Sequence, residues 1–518
     1  MKKNLLYFII FLGFGVSCSS TRNSGSTDNK TIDITFVQIN DVYEIAPLEG
    51  GRIGGMARVA FIKNKYLTQN PNTYLIMAGD FLSPSVFNSL QFEGKRIRGR
   101  QMIEAMNTAG TDIAVFGNHE FDISESELQS RINESGFKWL SSNTYHKKGD
   151  VINQFVKKTG NINDTVPLTY IMNVKDADGT TARIGFIGLT LPYNKASYVM
   201  YTDPLVAAET MYNRIKDSCD VVIAITHQLL KDDILLAQRL PNLAMIIGGH
   251  EHDQRFQRVG NVIISKAHSN AKSAYILKLK INKNKADFKV KSELEMINES
   301  VPMDPVTEQV VKKWTAIADK SYSSIGFDAK KIIRTSGDPL DGRDAEIRTH
   351  PTNFSRIIVA AMEAAAPGSD LAILNAGSIR LDDILQMPVS QYDILRSLPF
   401  GGNLIEADMI GSLLVKILDA GRKNAGIGGF LHYSNSLTYS SASSNWTLQS
   451  KEIDPLKSYK VVMTDFLLTG GEANLGFLKK DNPQIIKVYP VATSLTDPKS
   501  DIRLSIIRYM ENQPASAF

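Results

Sequence analysis

Five short apolar runs constrain the fold of this chain more than any other feature of its sequence. Each run is rich in β-branched residues, has the length of a strand, and passes abruptly into Asp, Asn or His. The runs read ITFVQIND, YLIMAGD, IAVFGNHEFD, VVIAITHQ and LAMIIGGHEH. Helical patterns lie between them, and we predict helices over residues 55–68, 100–109, 125–134 and 204–218. This alternation predicts a layered α/β architecture.

The polar residues at these strand ends favour a metal centre. In layered α/β proteins, ligands bind beyond the carboxyl ends of the strands. Carboxylate oxygen and imidazole nitrogen suit hard divalent cations, and no thiolate lies at these ends. One histidine at such a position is more often a hydrogen-bonded structural residue, but five strand ends together reverse that preference. The candidate residues are Asp41, Asp80, Asn118, His119, His227, His250 and His252.

The last of the five runs carries two histidines at a useful spacing. His250 and His252 are two residues apart, so on an extended segment they point to the same side and can reach neighbouring metals. Gly248 and Gly249 precede them and let the backbone turn close to the site.

Composition sets the class of protein and excludes one class of partner. The chain has 518 residues, 43% apolar and 22% charged, which predicts two or more globular domains. Its 58 basic and 54 acidic residues leave a formal charge of +4 without a dense Lys/Arg block. Nucleic acid is therefore not an expected partner.

The N-terminus has the pattern of an export signal. Lys2 and Lys3 precede LLYFIIFLGFGVS, which is too short to span a bilayer but suits the core of a signal peptide. Because this run ends at Cys18, residues 1–18 resemble a bacterial lipoprotein signal, and we expect a lipid anchor on Cys18. A plain secretory signal is the alternative. We expect a periplasmic or cell-surface protein on a flexible tether of residues 19–31, in which Cys219 alone remains and forms no intramolecular disulfide.

Together the motifs resemble a known family of enzymes. The order IND, AGD, GNHEFD, TH and GHEH is similar to the metallophosphoesterase pattern, and Glu-Phe-Asp after Asn-His resembles the 5'-nucleotidase family of exported bacterial and animal enzymes. The C-terminal half has similar features in ILNAGSIR, LPFGGNL, GGFLHYSN and TDFLLTGGE, so the resemblance covers almost the whole mature chain. It implies a four-layer sandwich of two packed mixed sheets flanked by helices, followed by a separate α/β substrate-binding domain.

The resemblance also implies two divalent metal ions, of the kind Mn, Zn, Mg or Co. Asp41, Asp80 and His252 would hold one ion, and Asp80, Asn118, His227 and His250 the other, with Asp80 as the bridge. Such a pair activates water as a nucleophile and clamps phosphoryl oxygens. The implied role of His119 is to stabilise or protonate the reacting oxygens, with Asp122 orienting its ring.

One residue departs from the family pattern. The family usually has a histidine ligand two residues after the first aspartate, whereas this chain has Tyr43. Tyr43 either ligates as a phenolate, leaves a position that water completes, or marks the loss of the first metal. We favour the second interpretation, because the other ligands are intact and catalytic sites tolerate open positions.

We predict a metallophosphoesterase domain over residues 32–300, a linker helix over residues 301–325 and a substrate-binding domain over residues 326–512. The polar helical pattern that begins at Asp304 separates two α/β patterns. The resemblance implies a hinge motion near residues 300–330 that carries substrate to the metals.

Substrate binding would come from the second domain. In NAGSIR, Asn375 and Arg380 lie on a turn, and the Arg380 guanidinium can pair with a phosphate, although a solvated surface arginine is an equal alternative. By resemblance, Phe430 stacks on a nucleobase, Phe477 is the candidate second ring and Asp481 a candidate for the sugar hydroxyls. Both phenylalanines could instead be core residues.

The function expected from this resemblance is hydrolysis of a nucleoside 5'-monophosphate to nucleoside and phosphate. Alternatives with the same centre are a 2',3'-cyclic phosphodiesterase, a nucleotide-sugar diphosphatase and a thiosulfohydrolase, because the second domain selects the reaction. A surface-anchored nucleotide-binding protein with impaired catalysis is supported by Tyr43 alone. A structural lipoprotein would leave the acids and imidazoles at the strand ends unexplained. No protein partner is implied.

Overall fold

The strands of the first half of the chain form two six-stranded mixed sheets. A computed structural model describes residues 30–193 and 196–513. The predicted signal peptide, Cys18 and most of the tether lie outside this range. Within it, no helix has the length and apolar character needed to cross a membrane.

The first sheet has four neighbouring parallel strands and an antiparallel edge. In spatial order its strands are Asp287–Met296, Ser273–Asn282, Thr31–Ile39, Thr73–Met77, Thr111–Val115 and Lys138–Leu140. The second sheet likewise has four parallel strands at its centre, with an antiparallel strand at each edge. Its order is Thr169–Lys175, Thr181–Thr190, Val221–His227, Met245–Gly249, Val262–Lys266 and Arg255–Val259.

The two sheets pack face to face on a continuous apolar core. Phe36 of the first sheet meets Phe186 of the second edge to face, with ring centroids 6.0 Å apart. Helices cover the two outer faces. They are Met56–Gln69, Arg100–Thr108, Glu125–Glu134 and Pro305–Ser324 on the first sheet, and Pro204–Ile215 and Leu230–Arg239 on the second. This is the four-layer sandwich that the sequence predicts.

The helix Pro305–Ser324 is part of this sandwich. Asp304 caps its N-terminus by accepting a hydrogen bond from the Thr307 backbone, and proline occupies its first position. Trp314 is fully buried against the sandwich and donates through Nε1 to Glu104 at 2.9 Å. The helix predicted to link the two domains thus packs on the first domain through these contacts.

The second domain is built on a five-stranded sheet. Its spatial order is Leu431–Tyr433, Leu371–Asn375, Ser458–Thr464, Leu404–Ile410 and Ile485–Val488. Gly411–Lys423 packs on one face, and Asn353–Ala365 and Ile502–Asn512 pack on the other. The remaining helices are Asp344–Ile347 and Gln391–Ser397.

Short strands outside the three sheets form hairpins and small pairs. In the first domain they are Gln91–Phe92, Lys95–Arg96, Thr144–Lys148, Val151–Asn153, Val156–Thr159, Ile162–Thr165 and Val199–Tyr201. In the second domain they are Ile332–Arg334, Leu340–Asp341, Ile384–Leu385, Val389–Ser390, Leu437–Ser440, Asn445–Leu448 and Lys451–Glu452.

The two domains contact each other through polar pairs. The Tyr392 hydroxyl of the second domain donates to Oε2 of Glu44 at 2.7 Å. Lys272 forms an ion pair with Asp383, and both side chains are largely buried. These contacts hold the second domain against the edge at which the strands of the first domain end.

Candidate metal centre

The carboxyl ends of the two sheets meet in a buried cluster of metal-binding side chains. Asp41 and Asp80 follow neighbouring parallel strands of the first sheet, and His227 ends a central strand of the second. One ligand atom of each residue lies within 4.8 Å of the others. All three side chains are buried, so the cluster combines two carboxylates and an imidazole away from solvent.

The His227 ring presents its Nε2 atom to this cluster. Its Nδ1 donates to the carbonyl oxygen of Ala78 at 2.8 Å, which fixes the ring so that Nε2 faces the carboxylates. Nε2 lies 3.0 Å from Oδ2 of Asp80 and 3.7 Å from Oδ1 of Asp41, in a geometry that satisfies no hydrogen bond within the described residues. A buried acceptor without a donor is what a metal ligand requires.

The other predicted ligands surround the same carboxylates. Asn118 is buried, and its Oδ1 has no hydrogen-bond partner within the described part of the chain. The His250 ring lies 5.4 Å from the His227 ring, and its backbone N–H donates to Oδ2 of Asp41 at 2.9 Å. Nε2 of His252 lies 3.5 Å from Oδ1 of Asp41. These oxygen and nitrogen donors fit a pair of hard or borderline divalent cations.

The backbone is strained where it delivers these side chains. Asp41, Asp80 and His250 have φ values of +54°, +56° and +91°, a region that residues with a side chain rarely occupy. Gly249 permits a close approach, because a Cβ there would lie 2.4 Å from the carbonyl oxygen of Ala78. Strained turns of this kind are typical of functional sites.

His119 and Asp122 form a pair on a one-turn helix beside the cluster. Nδ1 of His119 lies 2.7 Å from Oδ2 of Asp122, and the His119 backbone N–H donates to Oδ1 of Asp80 at 2.8 Å. Burial lowers the pKa of His119, but the Asp122 and Asp80 carboxylates outweigh it and raise the pKa to about 9. In this environment the imidazole is held protonated, which suits a general acid.

Glu120 is a functional residue that sequence reasoning missed. Its buried carboxylate accepts backbone N–H groups of Asp80, Phe81 and Leu82 at 2.9, 2.7 and 3.1 Å. It also accepts the N–H of Gly117 at 2.5 Å. Glu120 therefore links two turns. One contains Asp80, and the other contains Gly117 and the candidate ligand that follows it. The only sequence signal is its place in the GNHEFD motif.

Lys266 is a second missed residue, buried beneath the two strand ends of the second sheet. Its ammonium donates to the carbonyls of Gln228 and Gly249 at 2.5 and 2.8 Å, directly beside two predicted histidine ligands. It also pairs with Asp233 at 2.8 Å and with Glu251 at 2.5 Å. One lysine thus ties together the ends of the strands that present His227 and His250, and nothing in the sequence singles it out.

Two protein-family models match the chain. The model of calcineurin-like phosphoesterases matches residues 34–254, and the model of the 5'-nucleotidase C-terminal domain matches residues 331–479. The chain belongs to the 5'-nucleotidase family of metallophosphoesterases. As a member of this family it is a metal-dependent hydrolase of phosphoric esters, and the predicted two-domain α/β fold is confirmed.

Proteins similar to this 5'-nucleotidase family member cover nearly its whole length. UshA from Yersinia enterocolitica is 25% identical over 92% of this chain and 94% of its own. A solved 5'-nucleotidase precursor from Thermus thermophilus is 21% identical with a TM-score of 0.67, over 93% of this chain and 96% of its own. The sulfate thiohydrolase SoxB from the same organism is 14% identical with a TM-score of 0.61, over 92% and 94%. Because proteins with different names share this fold, the fold alone does not select a substrate.

Tyr43, the departure from the family pattern, lies inside the candidate centre. Its hydroxyl is 2.9 Å from Nε2 of His252 and 3.5 Å from both Oδ1 of Asp41 and Oδ2 of Asp80. Burial and the two carboxylates raise the pKa of Tyr43 well above its usual value, so this environment favours the neutral phenol. The phenol oxygen thus contacts the atoms to which the family resemblance assigns the first metal.

In this family member, the charge of Arg380 from the second domain acts on the His119–Asp122 pair. Burial opposes ionisation of Asp122, but the charges of His119 and Arg380 hold its pKa below the usual value. Nε of Arg380 donates to the carbonyl of Gly377 at 3.0 Å, and its guanidinium lies 5.4 Å from the centre of the Phe400 ring. Arg380 is partly exposed, and these contacts orient its guanidinium.

Asn375 is buried and paired with an acid that the sequence prediction did not include. Its Nδ2 donates to Oε2 of Glu472 at 2.6 Å, and its Oδ1 accepts from Ser378 at 2.7 Å. Glu472 lies in the Gly-Gly-Glu turn, whereas Asp481 is exposed on another turn. Of the two acids, Glu472 is the one in contact with a predicted substrate residue.

The two candidate aromatic rings lie in different surroundings. Phe430 is buried, and its ring is perpendicular to that of His432 with centroids 5.5 Å apart. Phe477 lines a cavity of about 600 Å³ together with Lys416, whose ammonium lies 4.1 Å from the centre of its ring. Phe430 does not line that cavity.

Proposed function

We propose that this chain hydrolyses nucleoside 5'-monophosphates to nucleoside and phosphate, with two divalent cations in the first domain. The observation that carries the proposal is the meeting of three elements. A buried cluster of Asp41, Asp80 and His227 lies beside the His119–Asp122 pair, and Arg380 from the second domain is near enough to influence that pair. Hydrolysis of a phosphate monoester is promoted by cations, a general acid and a guanidinium placed around the reacting phosphate.

The donor set divides between two metal positions. Asp41, Asp80 and His252 would hold one cation, and Asp80 would bridge to the other, which Asn118, His227 and His250 complete. When bound, two such cations supply Lewis acidity and a nucleophile that is active near neutral pH. The hydrogen bond from Nδ1 of His227 to Ala78 turns Nε2 towards the metal position, and Glu120 holds together the two turns that carry Asp80 and Gly117.

His119 acts on the leaving oxygen. Asp122 accepts the proton of its Nδ1, so the ring is fixed and its Nε2 is the atom free to donate. Donation from Nε2 to the ester oxygen avoids release of an alkoxide, and the imidazole is neutral after the step. Arg380 supplies a fixed positive charge for the phosphoryl oxygens as negative charge develops there.

The second domain binds the nucleoside end of the substrate. Asn375, with its partner Glu472, can hydrogen-bond to hydroxyl or amide groups of the nucleoside. Phe430 and Phe477 offer flat apolar faces for a base, and Asp481 is retained as a more distant candidate. A rearrangement of the second domain that exposes Phe430 is required before it can stack on a base, since its ring is 8% exposed.

The test is release of inorganic phosphate from 5'-AMP by protein lacking residues 1–18, with added Mn²⁺ and with His119→Asn as the matched variant. We expect metal-dependent release by the parent protein and a loss of at least about 100-fold in the variant. Absence of release from folded, metal-loaded protein contradicts the proposal. A panel of a 2',3'-cyclic nucleotide, a nucleotide sugar and thiosulfate-bearing compounds then identifies the ester that the same centre cleaves.

A second candidate function is binding of nucleotide with impaired catalysis. The observation that favours it is the Tyr43 hydroxyl, which engages Nε2 of His252 where the first metal is expected. This candidate predicts that 5'-AMP binds to the Mn²⁺-loaded protein without release of phosphate. The intact His119–Asp122 pair supports catalysis instead.

We also propose export and membrane attachment, on the sequence of residues 1–18 alone. The mature protein would carry a lipid on Cys18 and lie in the periplasm or at the cell surface. Mass spectrometry of the membrane fraction tests this: an acylated Cys18 supports it, and a mature N-terminus elsewhere contradicts it.

A further inference from the structure

Asp382 belongs to the second domain, but it contacts a candidate metal ligand of the first. Its carboxylate Oδ2 lies 3.0 Å from Nδ1 of His252, and its backbone carbonyl oxygen lies 3.1 Å from the same nitrogen. The two residues are 130 positions apart in the chain. This is therefore a contact that only the docking of the two domains creates.

The contact decides which ring nitrogen of His252 can bind a metal. Both Asp382 atoms are acceptors when the carboxyl is ionised, so Nδ1 must carry the proton. The other nitrogen, Nε2, then faces the cluster: it lies 2.9 Å from the hydroxyl of Tyr43 and 3.5 Å from Oδ1 of Asp41. A carboxylate on the far nitrogen of a ligating histidine fixes its ring and makes it a stronger ligand.

Asp382 is itself held in place for this role. Its other oxygen, Oδ1, accepts the backbone N–H of Asp344 at 2.7 Å, and its φ of +41° is uncommon for a residue with a side chain. The next residue, Asp383, forms the ion pair with Lys272 of the first domain. Two consecutive aspartates of the second domain thus contact the first domain, and one of them contacts a candidate metal ligand.

We propose that Asp382 is a positioning residue through which docking of the second domain completes the first metal site. By accepting from Nδ1, Asp382 fixes the His252 ring so that Nε2 is the nitrogen turned to the first site. By thermodynamic reciprocity, a cation at the first site stabilises the docked arrangement by the same factor. Metal occupancy and domain position are thus coupled in this chain. This inference rests on the proposed two-metal centre, but it is independent of the identity of the substrate.

The experiment is titration of the full chain with Mn²⁺ alone, by calorimetry, for the parent protein and Asp382→Asn. Asp383→Asn is the matched control, because it removes the adjacent interdomain ion pair without touching His252. His252→Ala and His250→Ala identify which binding event belongs to the first and which to the second site. We expect Asp382→Asn to weaken the first event by about 10-fold to 100-fold and to leave the second unchanged.

Two outcomes overturn the proposal. One is metal binding by Asp382→Asn equal to that of the parent protein. The other is an equal loss in Asp382→Asn and Asp383→Asn, which would show that docking in general, and not the histidine contact, is responsible. Asp382→Glu, which keeps a carboxylate, should recover part of the affinity and serves if the Asn variant does not fold.

A second measurement tests the coupling between metal binding and domain position. A pair of fluorescent or spin labels on the two domains of the full chain should report a more closed distribution when Mn²⁺ is added to the parent protein, and a smaller change in Asp382→Asn. An identical response of the two proteins would contradict the coupling. Neither measurement uses a substrate, so failure of the nucleotidase proposal and failure of this one are distinguishable.

Discussion

The phenol oxygen of Tyr43 lies 2.9 Å from Nε2 of His252, the ring nitrogen that a first metal ion would use. Because Asp382 occupies the other ring nitrogen, Nε2 is the nitrogen left to face the phenol and a first metal ion. The tyrosine hydrogen bond and a metal at the first site therefore compete for one ring nitrogen. This competition distinguishes the chain from the usual pattern of its family.

We predict that Tyr43→His binds the first metal more tightly, by about 10-fold or more, and retains or raises the rate of phosphate release. A histidine at this position replaces a competing donor with a ligand. Calorimetric Mn²⁺ titration and phosphate release measure the two effects. Tyr43→Phe is the matched variant: it frees Nε2 of His252 without adding a ligand, so its gain in affinity should be smaller. Loss of metal in Tyr43→His would contradict the competition.

We predict that Asp122→Asn lowers kcat by about 100-fold to 10,000-fold, the usual contribution of general acid–base catalysis. Asn cannot supply the negative charge that, after the opposing effect of burial, raises the pKa of His119 to about 9. Steady-state kinetics with 5'-AMP measures the loss, and Mn²⁺ titration should be unchanged because neither residue is an expected ligand. A variant that loses metal to the same degree as activity would show a structural role instead.

Lys266→Met should destabilise the first domain by about 3–5 kcal/mol, because it leaves the buried Asp233 without its partner. Denaturant unfolding measures the change. Adding Asp233→Asn to the variant should recover part of it, since the buried charge is then removed. Lys63→Met is the control: its partner Asp112 is 32% exposed, and we expect a loss of about 1 kcal/mol or less. Equal losses in both variants would contradict this account.

The raised pKa of Glu44 predicts how the free energy of unfolding depends on pH. Burial raises the pKa of Glu44 from 4.5 to about 7, although hydrogen bonds from Tyr392 and Val86 oppose the shift. Since the folded state binds this proton more tightly, the contribution to stability is complete below pH 4.5 and is lost as the pH rises through 7. At 1.36 kcal/mol per pKa unit, the loss is about 3 kcal/mol at most.

Glu44→Gln should therefore flatten the fall in unfolding free energy between about pH 5 and pH 8, a range chosen from the ordinary and raised pKa values. Denaturant unfolding of metal-free protein at several pH values measures it. Glu49→Gln on the same loop is the matched control, because its partly exposed side chain pairs with Arg52 at the surface. If the free energy of unfolding falls with pH as steeply in Glu44→Gln as in the parent protein, other groups cause the pH dependence.

Several elements could be predicted closely from local sequence. The helix predicted over residues 125–134 is observed as Glu125–Glu134, because Ser124 and Glu127 form a capping box at its start. The helix predicted to begin at Asp304 begins at Pro305 and continues to Ser324. The helix predicted to end at residue 218 ends at Ile215 and continues as a single tighter turn. Caps and periodicity act within a few residues, so the sequence reports them directly.

The contacts that refine the site could not be predicted in the same way. Tyr392 reaches Glu44 across 348 residues, and Asp382 reaches His252 across 130. Neither aspartate nor tyrosine at these positions has a local pattern that distinguishes it from a surface residue. The different surroundings of Phe430 and Phe477 were likewise invisible, since both are apolar rings in a glycine-rich segment.

The kind of chemistry available to this chain can be read from its residues alone: oxygen and nitrogen donors follow five strand-like runs, in an order typical of metallophosphoesterases. Strand patterns and turn residues encode where such side chains emerge, and parallel strands bring their ends to one edge. The folded arrangement adds which donors lie together and which lysine and glutamate hold the turns. It also adds that Tyr43 and Asp382 meet the two nitrogens of one histidine. Those relationships depend on sheet packing and on domain docking, which join residues that no short stretch of sequence contains together.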